Sequence, residues 1–364
     1  MVAENQTGPI RVGVIGLGFG GESALKGYQR LANVQVVALA GLEEERLAAL
    51  GKTYNVPHLY RYSEELLARD DLDAVSVAVP NYLHAPIALA ALERGLHVLC
   101  EKPLARTGDE AEAMVQAATK ANRVLQVVFN HRERGDIHVL KRYIDEGKLG
   151  QIYYAKVYWM RRRGIPGAGT WFVNKEMAGG GPLIDLGVHV LDMALHLLGE
   201  PEVLTVSASI YDELGKRGVG VDLNAGKSGA GSSFEVEDLA TAFLRLANGA
   251  TLTFETSWAT HSSAQDDYGV TLYGSEGGAE IRVQNYSTED TLRIYTDVAG
   301  VPSEIRPKLP RGDFHNAVVR EFIQRISDGN WSLYNGSDGL RRTRIIDACY
   351  ASARQRREVT IDAQ

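Results

Sequence analysis

Roughly the first third of the chain alternates between short apolar runs and longer amphipathic stretches. Arg11 to Ile15 (RVGVI), Val34 to Ala40 (VQVVALA), Ala74 to Val79 (AVSVAV), His97 to Cys100 and Val124 to Phe129 (VLQVVF) read as buried strands. Ser23 to Ala32, Glu43 to Tyr54, Ala85 to Arg94 and Asp109 to Asn122 read as the helices between them. Strand, helix and strand in alternation predict βαβ units and a parallel, doubly wound sheet.

After Phe129 the pattern changes. His138 to Gly147 is helical, Ile152 to Arg161 (IYYAKVYWMR) is a long alternating strand, and Leu183 to Leu198 is an apolar helix. Strands then dominate: Val203 to Tyr211, Leu239 to Leu246, Thr251 to Trp258, Tyr268 to Gly274, Ala279 to Val283 and Thr291 to Thr296. Asn248-Gly249 and Glu276-Gly277-Gly278 mark hairpin turns. Gly215 to Ser233, rich in Gly and Ser, is expected to be a mobile loop. His315 to Asp328 and Gly339 to Arg354 close the chain as helices. The fold class is therefore an α/β domain over 1–130, followed by an α+β domain over 131–364 with a large, mostly antiparallel open sheet.

Composition narrows the function. A length of 364 residues suggests two domains, and 45% hydrophobic with 23% charged residues is ordinary for a globular protein. A net charge of −7 gives the chain no basic footprint for nucleic acid. No apolar run approaches the ~18 residues of a membrane helix, and Met1 to Pro9 lacks an apolar signal core. Cys100 and Cys349 make no disulfide framework or metal cluster. The expectation is a cytoplasmic protein with no nucleic-acid or membrane partner.

Gly16, Gly18 and Gly21 form G-x-G-x-x-G, with Phe19 and Gly20 between, directly after the first strand and at the opening of a helix. In that context the motif marks a Rossmann-type dinucleotide turn, with pyrophosphate at the helix N-terminus. The end of the second strand chooses the nucleotide, since a carboxylate there holds the ribose 2′-hydroxyl. Here it is Gly41, followed by Glu43, Glu44 and Glu45, which could oppose a 2′-phosphate, and Arg46, which could hold one, unless all four are solvated helix residues. NAD and NADP both stay open.

Glu101-Lys102-Pro103 lies at the end of the fourth strand of the alternating half, with Pro80-Asn81 and His84 past the preceding one. In an open α/β sheet ligands bind beyond the carboxyl ends of strands. Lys102 is thus placed for a ligand or an acid/base role, or is a surface lysine. Gly179 to His189 (GGGPLIDLGVH) places Asp185 and His189 four apart, on one face of a helix. A carboxylate beside an imidazole suits a general base, or a brace within the helix. No third ligand at metal spacing accompanies the pair. Arg161, Arg162 and Arg163 end a strand before Trp171 and could bind an acidic group or be a solvated run. Trp258, His261 and Tyr268 could stack on a sugar or pack in the core.

Taken in order, the glycine loop, Pro80-Asn81 with His84, Glu101-Lys102-Pro103 and Gly180-Gly181-Pro182 leading to Asp185 and His189 resemble the Gfo/Idh/MocA oxidoreductases. The resemblance runs from about Arg11 to Thr360, with weaker marks at Phe129-Asn130-His131-Arg132, Gly147-Lys148-Leu149-Gly150 and Gly274-Ser275-Glu276-Gly277. It implies hydride transfer between NAD or NADP and a carbon of a sugar or polyol. It implies Lys102 on the substrate oxygen, His189 as acid/base, and Asp185 orienting substrate and His189. Arg161 and Trp171 remain candidates for the substrate. Glu101, Pro80, Asn81, His84 and Asn130 would line the cofactor crevice, and Lys102–Pro103 is a candidate cis peptide. His131 departs from the family pattern and receives no role. The resemblance also implies a homo-dimer or homo-tetramer through the second domain's sheet. Two other readings stand beside it. One is a glycosidase that oxidises its substrate transiently with NAD; the other is a ligand-sensing regulator, which should have lost the lysine or histidine.

Overall fold

The computed structural model describes residues 8–167, 169–222 and 234–361. They cluster into two units, one of residues 8–130 with Phe314–Arg341, the other of the described residues of His131–Asp313 with 342–361.

In chain order the first unit holds β1 (Ile10–Ile15), α1 (Phe19–Tyr28), β2 (Val34–Ala40), α2 (Glu44–Tyr54), β3 (His58–Tyr60), α3 (Ser63–Leu67), β4 (Ala74–Val77), α4 (His84–Glu93), β5 (His97–Cys100), α5 (Gly108–Ala121) and β6 (Leu125–Val127). The strands pair in parallel in the order β3-β2-β1-β4-β5-β6. Neighbours change direction of succession between β1 and β4, which is where such sheets open a crevice for ligands. Every residue of β4 and β5 is buried, which is why their sequences run apolar without alternation. The helices α2 and α5 both stop at an asparagine in the left-handed region, Asn55 (φ +53°) and Asn122 (φ +48°).

The second unit continues with α6 (Gly135–Asp145), β7 (Ile152–Arg161), α7 (Lys175–Ala178), α8 (Pro182–Asp185), α9 (Gly187–Leu197), β8 (Val203–Tyr211), β9 (Leu239–Leu246), β10 (Thr251–Ser257), β11 (Asp266–Gly274), β12 (Gly278–Gln284), β13 (Leu292–Val298) and β14 (Val301–Ile305). Then come α10 (Phe314–Asp328), α11 (Ser337–Gln355) and β15 (Val359–Thr360). Nine strands form one sheet in the order β14-β13-β12-β11-β7-β10-β9-β8-β15. Among the described residues only β7 and β10 pair in parallel, so the sheet is mostly antiparallel.

Four expectations need correction. The pair β3 and α3 has no counterpart in the sequence pattern, so Lys102 follows the fifth strand of the chain rather than the fourth. The helix expected over Leu183 to Leu198 breaks at Leu186 into α8 and α9. Residues 314–341, expected in the second domain, cluster with the first unit. The reason is packing: Val318, Val319, Phe322, Ile323 and Ile326 of α10 join the core of Val12, Val14, Leu25 and Tyr28. Gly27 admits them, since a side chain there would begin 2.9 Å from Val319 Cβ. Finally, part of the loop expected over Gly215 to Ser233 is ordered: Gly215–Arg217 forms a 3-10 turn and Val221 bridges Ile165. Residues 223–233 of that loop lie outside the described residues.

Candidate active site

In the first unit, the turn after β1 separates three uses of glycine. Gly16 has φ +91°, and a Cβ on it would stand 2.1 Å from the carbonyl oxygen of Ala78. A Cβ on Gly21 would stand 1.9 Å from Gly16 O, so the packing of α1 on β1 requires that glycine. A Cβ on Gly18 would meet nothing within 4 Å. The fold does not demand Gly18; an approaching ligand would. Gly18 also caps α1 with no side-chain hydrogen bond, which leaves the first N–H groups of the helix turned toward that space. The turn therefore fits a pyrophosphate.

Beyond β2, a Cβ on Gly41 would stand 2.4 Å from Leu17 Cδ1, so the side chain of Leu17 takes the place an acidic residue would use. Arg46 donates through Nη2 to Glu22 Oε2 at 2.9 Å and through Nε to Leu17 O. Glu43, Glu44 and Glu45 are exposed, and Glu44 pairs with Arg61.

At the end of β5 the Lys102–Pro103 peptide is cis. Glu101 lies against the glycine loop, with Oε1 2.8 Å from where a Gly20 Cβ would stand. Burial pushes its carboxyl up to about 7, against the pull of Lys102. His84 is 1% exposed, and its ring nitrogens lie 2.8 Å from the carbonyls of Pro103 and Val79. It braces the ends of β4 and β5. Burial holds its pKa below the ordinary histidine value. Pro80 is half-buried and begins the turn after β4, and Asn81 and Asn130 are buried at the same edge.

In the second unit, Asp185 ends α8 and His189 sits in the first turn of α9. Between them the helix resets: the His189 N–H donates to Leu186 O at 3.1 Å. Gly187 permits this, because Phe254 reaches within 2.7 Å of where its Cβ would be. The carboxylate of Asp185 accepts from Trp258 Nε1 at 3.0 Å, a partner supplied by the end of β10.

His189 is 8% exposed and lies in a cage of rings. The His131 ring is 4.7 Å away and Trp159 is 5.6 Å away, centroid to centroid. Trp159 stacks on Tyr268 at 4.3 Å. The cage is anchored from behind. Arg134 Nη1 donates to the Tyr268 hydroxyl at 2.8 Å, Asp136 grips Arg134 at 2.9 and 2.7 Å, and Thr291 donates to Asp136. Next to His131, Arg132 donates to Asp192 at 2.8 and 2.5 Å, and the fully buried Arg342 reaches the same carboxylate at 3.0 Å.

Arg161, a candidate for the substrate, is charge-compensated. Its Nε donates to Asp266 at 2.9 Å and its Nη2 to the Tyr286 hydroxyl at 2.7 Å, while Asp266 also accepts from Trp159. Trp171 stands in a 3-10 turn and stacks on Phe172 at 3.8 Å. Of the remaining aromatic candidates, Trp258 and Tyr268 are fully buried, and His261 is exposed.

Sequence reasoning missed His131, Tyr268 as part of the cage, and Glu237. Glu237 accepts from the N–H groups of Gly181 and Leu183 at 3.0 and 3.1 Å and from the Tyr350 hydroxyl at 2.9 Å, and so caps α8. Its signal was present in Gly180 and Gly181: a Cβ there would stand 1.8 Å from Tyr350 Oη and 2.0 Å from Glu237 O. The two weaker glycine marks are one structural feature. Gly150 and Gly274 pack the loops at 147–150 and 274–277 together, with Ser275 N–H donating to Gln151 O at 3.0 Å.

A glycine-loop nucleotide domain followed by an open-sheet α+β domain is the architecture of a two-domain, dinucleotide-dependent oxidoreductase. Two family descriptions match: "Oxidoreductase family, NAD-binding Rossmann fold" over residues 10–129, and "Oxidoreductase family, C-terminal alpha/beta domain" over 141–361. The chain belongs to the Gfo/Idh/MocA oxidoreductase family. It is 32% identical to D-glucoside 3-dehydrogenase of Escherichia coli (strain K12), with 95% of each chain covered. Levoglucosan dehydrogenase of Pseudarthrobacter phenanthrenivorans is also 32% identical, over 94% of this chain and 96% of that one. A solved levoglucosan dehydrogenase in complex with NADH and L-sorbose superposes with a TM-score of 0.84 at 26% identity, covering 98% of this chain and 100% of that one. Among the described residues, no helix is long and apolar enough to cross a membrane, and no group of three His, Cys, Asp or Glu could hold a metal ion.

Proposed function

We propose that this chain is an NAD-dependent dehydrogenase of neutral sugars or glycosides, running between a hydroxyl-bearing carbon and its keto form. The observation that carries this reading is the cage of His189: an acid/base imidazole, 8% exposed, among aromatic rings and four residues after Asp185, a carboxylate held by Trp258. Such surroundings suit the apolar C–H face of a sugar ring and keep a proton acceptor in one orientation. Lys102 holds the substrate oxygen and stabilises charge on it. His189 takes the hydroxyl proton, and Asp185 orients substrate and His189. The bound nicotinamide supplies the hydride acceptor.

Charge supports a neutral substrate. Arg161 is paired with Asp266, Arg134 with Asp136, and Arg132 and Arg342 with Asp192. Relatives named for a D-glucoside and for levoglucosan point the same way. For the dinucleotide, a 2′-phosphate would compete with Glu22 for Arg46, and a solved relative holds NADH. Both favour NAD.

The test is an absorbance screen at 340 nm with NAD and NADP across alkyl glucosides, anhydrosugars, polyols and sugar acids. The expected result is turnover of neutral sugars with NAD. Lys102→Ala and His189→Ala should each lower kcat/KM by about 10²- to 10⁴-fold. No turnover with any sugar, or turnover of sugar acids alone, sinks the reading. Release of a sugar from a glycoside without net NADH would instead identify a glycosidase. Arg46→Ala should weaken NADP more than NAD.

A second copy of the chain is the proposed cover for the open face of the nine-stranded sheet. Tyr154 and Tyr273 stack there at 5.3 Å under Lys156, and Glu255 and Arg245 stand exposed nearby, so both signs of charge are available to a self-complementary contact. Light scattering of the purified protein should return a dimer or tetramer.

A further inference from the structure

Phe19 is 78% exposed at the start of α1, and the His315 imidazole meets its ring edge-on, with centroids 5.4 Å apart at 82°. His315 comes from a distant part of the chain, the first turn of α10. Its predecessor Phe314 has φ +45°, a strained conformation for an aromatic residue that persists only where the surroundings fix it. Here they do: α10 is seated on α1 through Val319 and Gly27.

The charge of Lys102 also reaches His315. Burial, the larger effect, and the Lys102 ammonium together hold the imidazolium down to about 4. At neutral pH the ring is uncharged, with one N–H donor and one acceptor nitrogen. His315 is half-buried, so part of it remains open to a ligand.

Two directions lead away from the glycine loop. One runs toward β2, Gly41 and Arg46, where the adenosine end belongs in a sheet of this order. The other runs toward β4, β5 and Lys102. His315 is on the second: its ring meets the exposed Phe19, and the charge of Lys102 reaches it. We infer that His315 is a further cofactor-binding residue, which hydrogen-bonds the dinucleotide on the nicotinamide side of the pyrophosphate. The inference rests on the reading that the glycine loop holds NAD.

The experiment is binding by calorimetry of NADH, ADP-ribose and AMP to the full chain and to His315→Phe. Phenylalanine keeps a ring against Phe19 and removes both nitrogens. The expected result is about 10-fold weaker NADH and ADP-ribose with AMP unchanged, the scale of one hydrogen bond. His315→Asn, which restores a donor, should recover part of the loss. If His315→Phe binds NADH and ADP-ribose as the unaltered chain does, the inference is overturned. An equal loss for AMP also overturns it, since that points to general damage to the loop. If the unaltered chain itself binds no dinucleotide, the NAD reading fails instead.

Discussion

The molecule has two glycine-rich turns, one in each unit, and they are built for opposite purposes. At Gly16–Gly21 the second glycine, Gly18, faces open space, with nothing within 4 Å of where a Cβ would stand. At Gly179–Gly181 the corresponding space is taken by the protein itself, by Tyr350 over Gly180 and Glu237 over Gly181. In both, a helix N-terminus follows. The first presents its N–H groups uncapped by any side chain, as an anion site requires. The second satisfies its own with the Glu237 carboxylate. The lesson is that a glycine run marks a close approach, and only the structure says whether a ligand or the chain makes it.

The largest expected effect breaks the second turn. Gly180→Ala forces a methyl into Tyr350 Oη, 1.8 Å away, and should lower unfolding stability by about 3 kcal/mol in urea titration. Unchanged stability would show that the turn is as open as the first. Gly18→Ala is the counterpart. It should leave stability within about 0.5 kcal/mol and weaken NADH by about 10- to 100-fold in fluorescence titration. A folding defect without an affinity change would erase the contrast between the turns.

Glu237→Gln sharpens the contrast from the protein side. It replaces one carboxylate oxygen by an amide that cannot accept from an N–H, and should cost about 1–2 kcal/mol in unfolding while sparing NADH binding. The smallest effect belongs to the first unit alone. His97, buried against Trp331, has its pKa held down to about 3, chiefly by burial, and its Nδ1 accepts from Val124 N–H. The unfolded chain takes up the proton near 6.5 and the folded chain does not. His97 therefore favours the fold fully above pH 6.5, and this stability is lost as pH falls from there toward 3. At pH 5.5 the loss should be about 1 kcal/mol. His97→Asn, which keeps an acceptor, should flatten that slope in acid titrations; a slope equal to the original would assign the acid sensitivity elsewhere.

Much of the first unit was legible because its constraints are local. β2 runs over Val34–Ala40 as its apolar run predicts, and the glycine loop follows β1 at once. The pair β3 and α3 was not legible, since a strand of two exposed residues and one half-buried one and a five-residue helix carry no periodicity. The apolar face of α10 announced a packed helix but not which core it covers. In the second unit, Asp185 and His189 were visible by spacing, whereas their surroundings were not. His131, Trp159 and Tyr268 meet only because β7 and β11 pair Trp159 with Tyr268 across the sheet, a register that no local pattern encodes. The pairing of Arg161 was not legible for a related reason: Asp266, its partner, lies on another strand.

The return of α10 to the first unit bears on how the protein is made. The six-stranded sheet is complete by Val127, yet the helix that covers Leu25 and Tyr28 begins only at Phe314. At ribosomal speeds of roughly 5–20 residues per second, the intervening residues 131–313 take on the order of 10–40 seconds to emerge. During that interval the α1 side of the nascent domain shows water, or a chaperone, the apolar surface that α10 later covers.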